Sequence, residues 1–177
     1  MQLVVGRECG ECTVCCKVSP IATTELTKGP NTPCPNCTAN GCAIYDYRPS
    51  ACRESFCGWR AYAELDNTWR PDISGVLILN EPEPPPPWVG QMGLKFLLVD
   101  GDGPLTQAGF IAYVSALVSR NIPVSLAVQG PPDHWPVKTF INVALQSAMG
   151  RGASAAARAL QEQAAMLRTG RFERADV

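Results

Sequence analysis

Histidine is nearly missing from this chain: His134 is the only one. An excess of either charge is missing too, since 15 Lys and Arg stand against 16 Asp and Glu, for a formal net charge of −1. With no basic field to hold a polyanion, charge argues against nucleic acid and an anionic membrane as partners. No apolar run reaches the roughly 18 residues that a membrane-spanning helix needs. The opening MQLVVGRECG has neither a basic stretch nor an apolar core of signal length, so a cytoplasmic location is expected. There is no Gly-rich dinucleotide fingerprint and no P-loop. One histidine with no acid partner in a recognisable motif makes no Ser-His-Asp triad. The last 120 residues, Gly58 to Val177, contain no cysteine at all.

All nine cysteines therefore lie in the first third: Cys9, Cys12, Cys15, Cys16, Cys34, Cys37, Cys42, Cys52 and Cys57. They read as C-x2-C-x2-C-C, then C-x2-C-x4-C, then C-x4-C. A C-x2-C pair brings two thiolates to one ion through a tight turn whose backbone N–H groups point at the sulfurs, as in zinc ribbons and iron–sulfur loops. A disulfide framework is the competing reading. An odd number of cysteines, adjacent Cys15 and Cys16, and the absence of an export signal all favour metal over it.

Zinc takes four ligands, and with one distant histidine those ligands are thiolates. Two ions need about eight bonds and three need about twelve, which nine thiolates supply if three of them bridge. The count permits either. Iron–sulfur is the rival, because C-x2-C-x2-C opens the bacterial ferredoxin run. In that run the fourth cysteine falls where this chain has Ser19 before Pro20, so the match is partial. Lys17, Arg48 and Arg53 stand near cysteines and could offset thiolate charge. Ile44, Tyr45, Tyr47 and Phe56 are expected to form a small apolar cover over the site.

CGECTVCC, CPNC and GCAIYDYRPSACRESFC together resemble the CxxCxxCC (YkgJ-like) family of zinc- or iron-chelating domains. The closing motif of that family is matched at Gly41, Cys42, Ile44, Tyr45, Arg48, Pro49, Cys52, Arg53, Phe56 and Cys57, and the resemblance covers about residues 6–60. It implies a cytoplasmic bacterial protein that chelates metal. Some relatives with such a module resemble protein lysine methylases carrying an iron–sulfur cluster, but no cofactor signature here extends that activity to this chain.

The composition break divides the chain into a Cys-rich module, 1–58, and a cysteine-free α/β body, 59–177. In the body a short helix is expected from Trp59 to about Leu65, and strands in SGVLILN, GLKFLLVD and Pro123–Val128. The EPEPPPPW segment between the first two reads as a rigid surface loop. GDGP is expected to start a helix, with Asp102 as its cap and Phe110, Ile111, Val114, Leu117 and Val118 as its apolar face. Strand, helix and strand suggest a βαβ unit.

The stretch from Pro136 to Gly150 has apolar residues at helical spacing (Val137, Phe140, Ile141, Ala144, Leu145, Ala148, Met149) and is expected to be one helix. A last helix is expected from Ala153 to Arg168, with Ala156, Ala157, Leu160, Ala164 and Leu167 packing on the body or on a second copy. The architecture is thus an α/β (α+β) body of two or three layers with C-terminal helices, carrying the module. Asp100, Asp102, Asp133 and His134 fall at element ends, where open sheets place ligands. His134 is a candidate extra ligand or general base, and Asp102 more simply a cap. The leading expectation is a cytoplasmic zinc-binding protein whose thiolate cluster is mainly structural and whose body binds an unknown protein or small molecule. The alternatives are an iron–sulfur redox or modifying enzyme and a metal store or chaperone.

Overall fold

The computed structural model describes residues 3–176. In chain order the elements are α1 (Val14–Val18), β1 (Ile21–Ala22), β2 (Thr27–Lys28), β3 (Cys37–Thr38), β4 (Gly41–Cys42), α2 (Ser50–Glu54), α3 (Gly58–Ala61), α4 (Pro71–Ser74), β5 (Val76–Glu81), β6 (Gly93–Leu98), α5 (Ala108–Ser119), β7 (Val124–Val128), β8 (Val137–Phe140), α6 (Asn142–Met149) and α7 (Ala153–Arg168). Helices and a mixed sheet of four strands, with two small antiparallel ladders, make an α+β fold. The sheet runs β5-β6-β7-β8 in sequence order, antiparallel except for the parallel β6–β7 pair. That pair is joined by α5, the expected βαβ connection.

Alternation along the strands makes two unlike faces. One face presents Val76, Ile78, Leu94, Phe96, Leu98, Val124, Leu126 and Val128 to the main core, which the buried faces of α5, α6 and α7 complete. Phe110, Ile111, Val114, Leu117 and Val118 are all buried there, as their spacing predicts. So are Ala156, Leu160, Ala164 and Leu167 of α7, which therefore packs on the body. The opposite face carries Leu77, Leu97 and Ala127, against which Val18, Val14 and Cys57 of the module pack. Helices, sheet and module form three layers.

Along that second face the apolar rows give way to charge. Glu81 is 3% exposed and accepts from Ser125 Oγ (3.1 Å) and Lys138 Nζ (2.7 Å). The carboxylate crosses β6 above Gly93, where any side chain would crowd Pro123. Burial lowers the Lys95 ammonium from its usual range, with Glu81 resisting.

Three expectations need correction. The helix expected from Pro136 is two elements: Val137–Phe140 is strand β8, and the helix begins only at Asn142. Val137, Thr139 and Phe140 suit a strand, and the open edge of β7 supplies a ladder from Val128↔Val137 to Ser125↔Phe140. Local spacing lost to a tertiary partner. Asp102 does not cap through its side chain; a 3-10 turn spans Gly103–Thr106, α5 begins at Ala108, and the Asp102 carboxylate pairs with Arg168 of α7. The helix after Trp59 is short: α3 ends at Ala61.

The proline-rich loop is fixed at its end, where Trp88 Nε1 donates to Asn121 Oδ1 (3.0 Å) and the indole stacks on Phe140.

Candidate metal centre

Both C-x2-C pairs close as tight turns. The Cys12 N–H donates to Cys9 O at 2.9 Å, and the Cys37 N–H donates to Cys34 O at 3.0 Å. A third bond, from Cys34 N–H to Cys16 O at 2.8 Å, draws the two motifs together across the intervening chain. α1 carries Cys15 and Cys16, and α2 carries Cys52. Cys57 stands at the N-cap of α3. The β3–β4 ladder sets Cys37 directly opposite Cys42, and side chains at opposed positions project to one side of a ladder.

Seven of the nine cysteines line one cavity of about 100 Å³: Cys9, Cys12, Cys15, Cys16, Cys34, Cys42 and Cys52. Ile44, Tyr45, Ile21, Leu26 and Pro49 complete its wall. A second cavity of about 30 Å³ is lined by Cys9, Cys12, Cys15 and Cys57, and lies against Leu77 and Leu79 of β5. Cys37 lines neither; its Sγ donates to Thr38 O at 3.8 Å, and the ladder holds it opposite Cys42, which lines the larger cavity. All nine cysteines are free thiols.

Backbone donors reach the sulfurs as metal-binding turns require. Val14 N–H bonds to Cys12, Ile44 N–H to Cys42, and the Arg60 and Trp59 N–H groups to Cys57. Such bonds orient a sulfur ligand and soften its charge. The soft all-sulfur donor set, the N–H···S bonds and the shared cavity fit zinc or an iron–sulfur group. The side-chain spacing as it stands is looser: among the described residues no three His, Cys, Asp or Glu side chains stand together as a ready ligand shell.

Six of the thiols are raised above their ordinary range. Burial, with the Asp72 carboxylate to which the thiol donates, pushes Cys12 up to about 11. Cys16 is raised further, first by its bond to Cys15 and then by burial. Burial is the leading cause that raises Cys37, Cys42, Cys52 and Cys57 as well. A bound cation reverses this, because a coordinating thiol gives up its proton.

Cations surround the thiols. Lys17 acts on Cys37, and Arg48 on Cys42 and Cys52. Arg48 also lies 3.6 Å from the Tyr45 ring centroid and donates to Tyr45 O. Arg53 instead donates to Arg48 O. Two further cations were not read from the sequence. Lys28 is 6% exposed; burial lowers its ammonium while Cys34, Cys16, Cys15 and Cys52 hold it up. Its Nζ donates to Thr32 O at 2.7 Å. Arg60 donates to Cys9 Sγ at 3.7 Å. Lys28 is twelve residues from Cys16 and six from Cys34, so only the folded loop reveals it.

Other expected site residues lie elsewhere. Tyr47 is 86% exposed and covers nothing, because Tyr45 alone of the pair faces the cavity. Phe56 lines neither cavity and lies beneath Arg60. His134 is half-buried, with Nδ1 2.8 Å from Pro132 O, and lines neither cysteine cavity. It belongs to a clasp: its carbonyl accepts from Asn31 Nδ2, and Asp133 Oδ1 accepts from Thr32 Oγ1, which ties the module to the loop after β7. Asp100 lies in the exposed turn after β6, and the four element-end residues form no common site. Among the described residues no helix is long and apolar enough to cross a membrane. No protein-family model, curated protein or solved structure matches the chain.

Proposed function

We propose that this protein binds metal through its cysteine module, as a zinc thiolate centre whose main role is to hold the module folded and seated on the sheet. The observation that carries the reading is the gathering of seven thiols from four separate stretches of chain around one cavity of about 100 Å³. A cavity of that size exceeds the roughly 10–15 Å³ a single water needs, so there is room for more than one ion. Ligation only by thiolates closes a zinc shell, and closed shells stabilise folds, whereas catalytic zinc keeps an open position. The module has few apolar residues of its own to bury, and its short ladders and one-turn helices add little cooperativity. Metal binding supplies the missing folding free energy in such modules. The motif resemblance over residues 6–60 rests on its quoted residues alone. A cytoplasmic location, where thiols stay reduced, belongs to the same reading.

One observation favours iron–sulfur as the second reading: Cys9, Cys12 and Cys15, the ferredoxin-like opening, line a single cavity. The test is purification without oxygen or a nickel column, followed by metal analysis and a visible spectrum. Two or three zinc ions per chain in colourless protein is the expected result. Iron with matching sulfide and a band near the blue end supports the second reading, and protein free of both metals overturns the two together.

A further inference from the structure

The two cavities share a wall. Cys9, Cys12 and Cys15 line both; Cys57 lines only the smaller; Cys16, Cys34, Cys42 and Cys52 line only the larger. Cys37 lines neither, but the β3–β4 ladder sets it opposite Cys42, which places it beside the larger one. With Cys37 counted beside its ladder partner Cys42, eight thiols serve the larger compartment and four the smaller, with three counted twice. A tetrahedral thiolate ion takes four sulfurs. Eight and four therefore supply two ions and one ion, and every thiol of the nine is used.

We propose that the centre is trinuclear and divided: two tetrahedral divalent cations of the zinc type in the larger compartment and one in the smaller, bridged by the thiolates of Cys9, Cys12 and Cys15. This rests on the metal-binding reading above. It adds a separate site at Cys57 and the identity of the bridging residues.

Three further features agree with it. The larger cavity has about three times the volume of the smaller, at about 100 against 30 Å³. Each compartment has its own cation in its wall to offset surplus thiolate charge, Arg48 in the larger and Arg60 in the smaller. Cys9, Cys12 and Cys15 stand three residues apart on one stretch of chain, so a single segment carries the partition.

The compartments also differ in what they adjoin. The larger lies within the module, while the smaller is closed by Leu77, Leu79, Trp59 and Pro71. The single ion in the smaller compartment therefore joins module to sheet, and the pair in the larger shapes the module itself.

The test uses the full chain, prepared without oxygen and loaded with zinc, with bound ions counted by native mass spectrometry. Wild type is expected to hold three ions, Cys57→Ser two, and Cys12→Ser fewer than Cys57→Ser. Because a variant can fail to fold, wild-type protein loaded with cadmium-113 is measured as well. Three resonances with scalar coupling through shared sulfurs are expected. Three uncoupled resonances, or a wild-type count of one or two, overturn the division while leaving metal binding intact. So does Cys57→Ser with the wild-type count. Wild-type protein that takes up no zinc overturns the reading on which the division rests.

Discussion

At the scale of single residues, protons and volumes decide. The buried thiols are raised above their ordinary range, so the loaded centre holds fewer protons than the empty one. Zinc affinity is therefore expected to rise steeply with pH and to be lost on acidification, with protons released on binding; titration in two buffers of different ionisation enthalpy counts them.

Lys95 gives an opposite, metal-independent signature. Its folded-state value is depressed by burial, so between that value and the ordinary lysine value the unfolded chain binds the extra proton. Stability then rises with pH through that window. Lys95→Met is expected to raise the melting temperature at neutral pH, with the gain shrinking as pH approaches the ordinary lysine value near 10.4. An unchanged or lowered melting temperature at neutral pH contradicts this.

Gly58 is a test of close approach. A Cβ there would lie 2.7 Å from Ile78 Cγ2, so Gly58→Ala is expected to cost about 1–3 kcal/mol in urea unfolding.

At the scale of elements, legibility followed how much of an element's stability is local. The strand in SGVLILN, the strand ending before Asp100 and the helix Ala153–Arg168 were all readable, because each buries a face its own pattern declares. β8 was not readable. Four residues with two apolar ends fit helix spacing as well as strand spacing, and only the edge of β7 breaks the tie. The C-x2-C turns were readable from spacing, whereas Lys28, Arg60 and the double lining by Cys9, Cys12 and Cys15 were not, since each depends on chain returning from a distance.

Asn142 shows the same limit. At the start of α6 and 3% exposed, it accepts from Val124 N–H (2.8 Å) and donates to Ile122 O (2.7 Å), so it couples helix to strand through two backbone groups. Asn142→Ala orphans both, each at about 1–3 kcal/mol. Faster amide exchange along β7 than along β5 is the expected readout; uniform exchange would show that the bridge does not carry that strand.

At the scale of the whole molecule, the two outer layers are held to the sheet by different means. The helices seal one face with a continuous apolar core, whereas the module meets the other through Val14, Val18 and Cys57 and through the clasp at Asn31, Thr32, Asp133 and His134. On the zinc-centre reading, a chelator is expected to release the Cys-rich module while the sheet and α5–α7 remain, a partial loss that hydrogen exchange resolves by segment. Loss of protection across the whole chain would mean instead that the layers fold as one unit.

Trp59 is 5% exposed, lines the smaller cavity among the thiols, and has a buried indole N–H with no partner among the described residues. Neither cavity is lined by Trp69, Trp88 or Trp135. Sulfur quenches indole emission on contact, so one chromophore of four is placed where brightness follows the state of the neighbouring sulfurs. On the zinc-centre reading the chain contains its own optical gauge, and Trp59 emission is expected to change as zinc is added and chelated, a change a fluorimeter reads without any added dye.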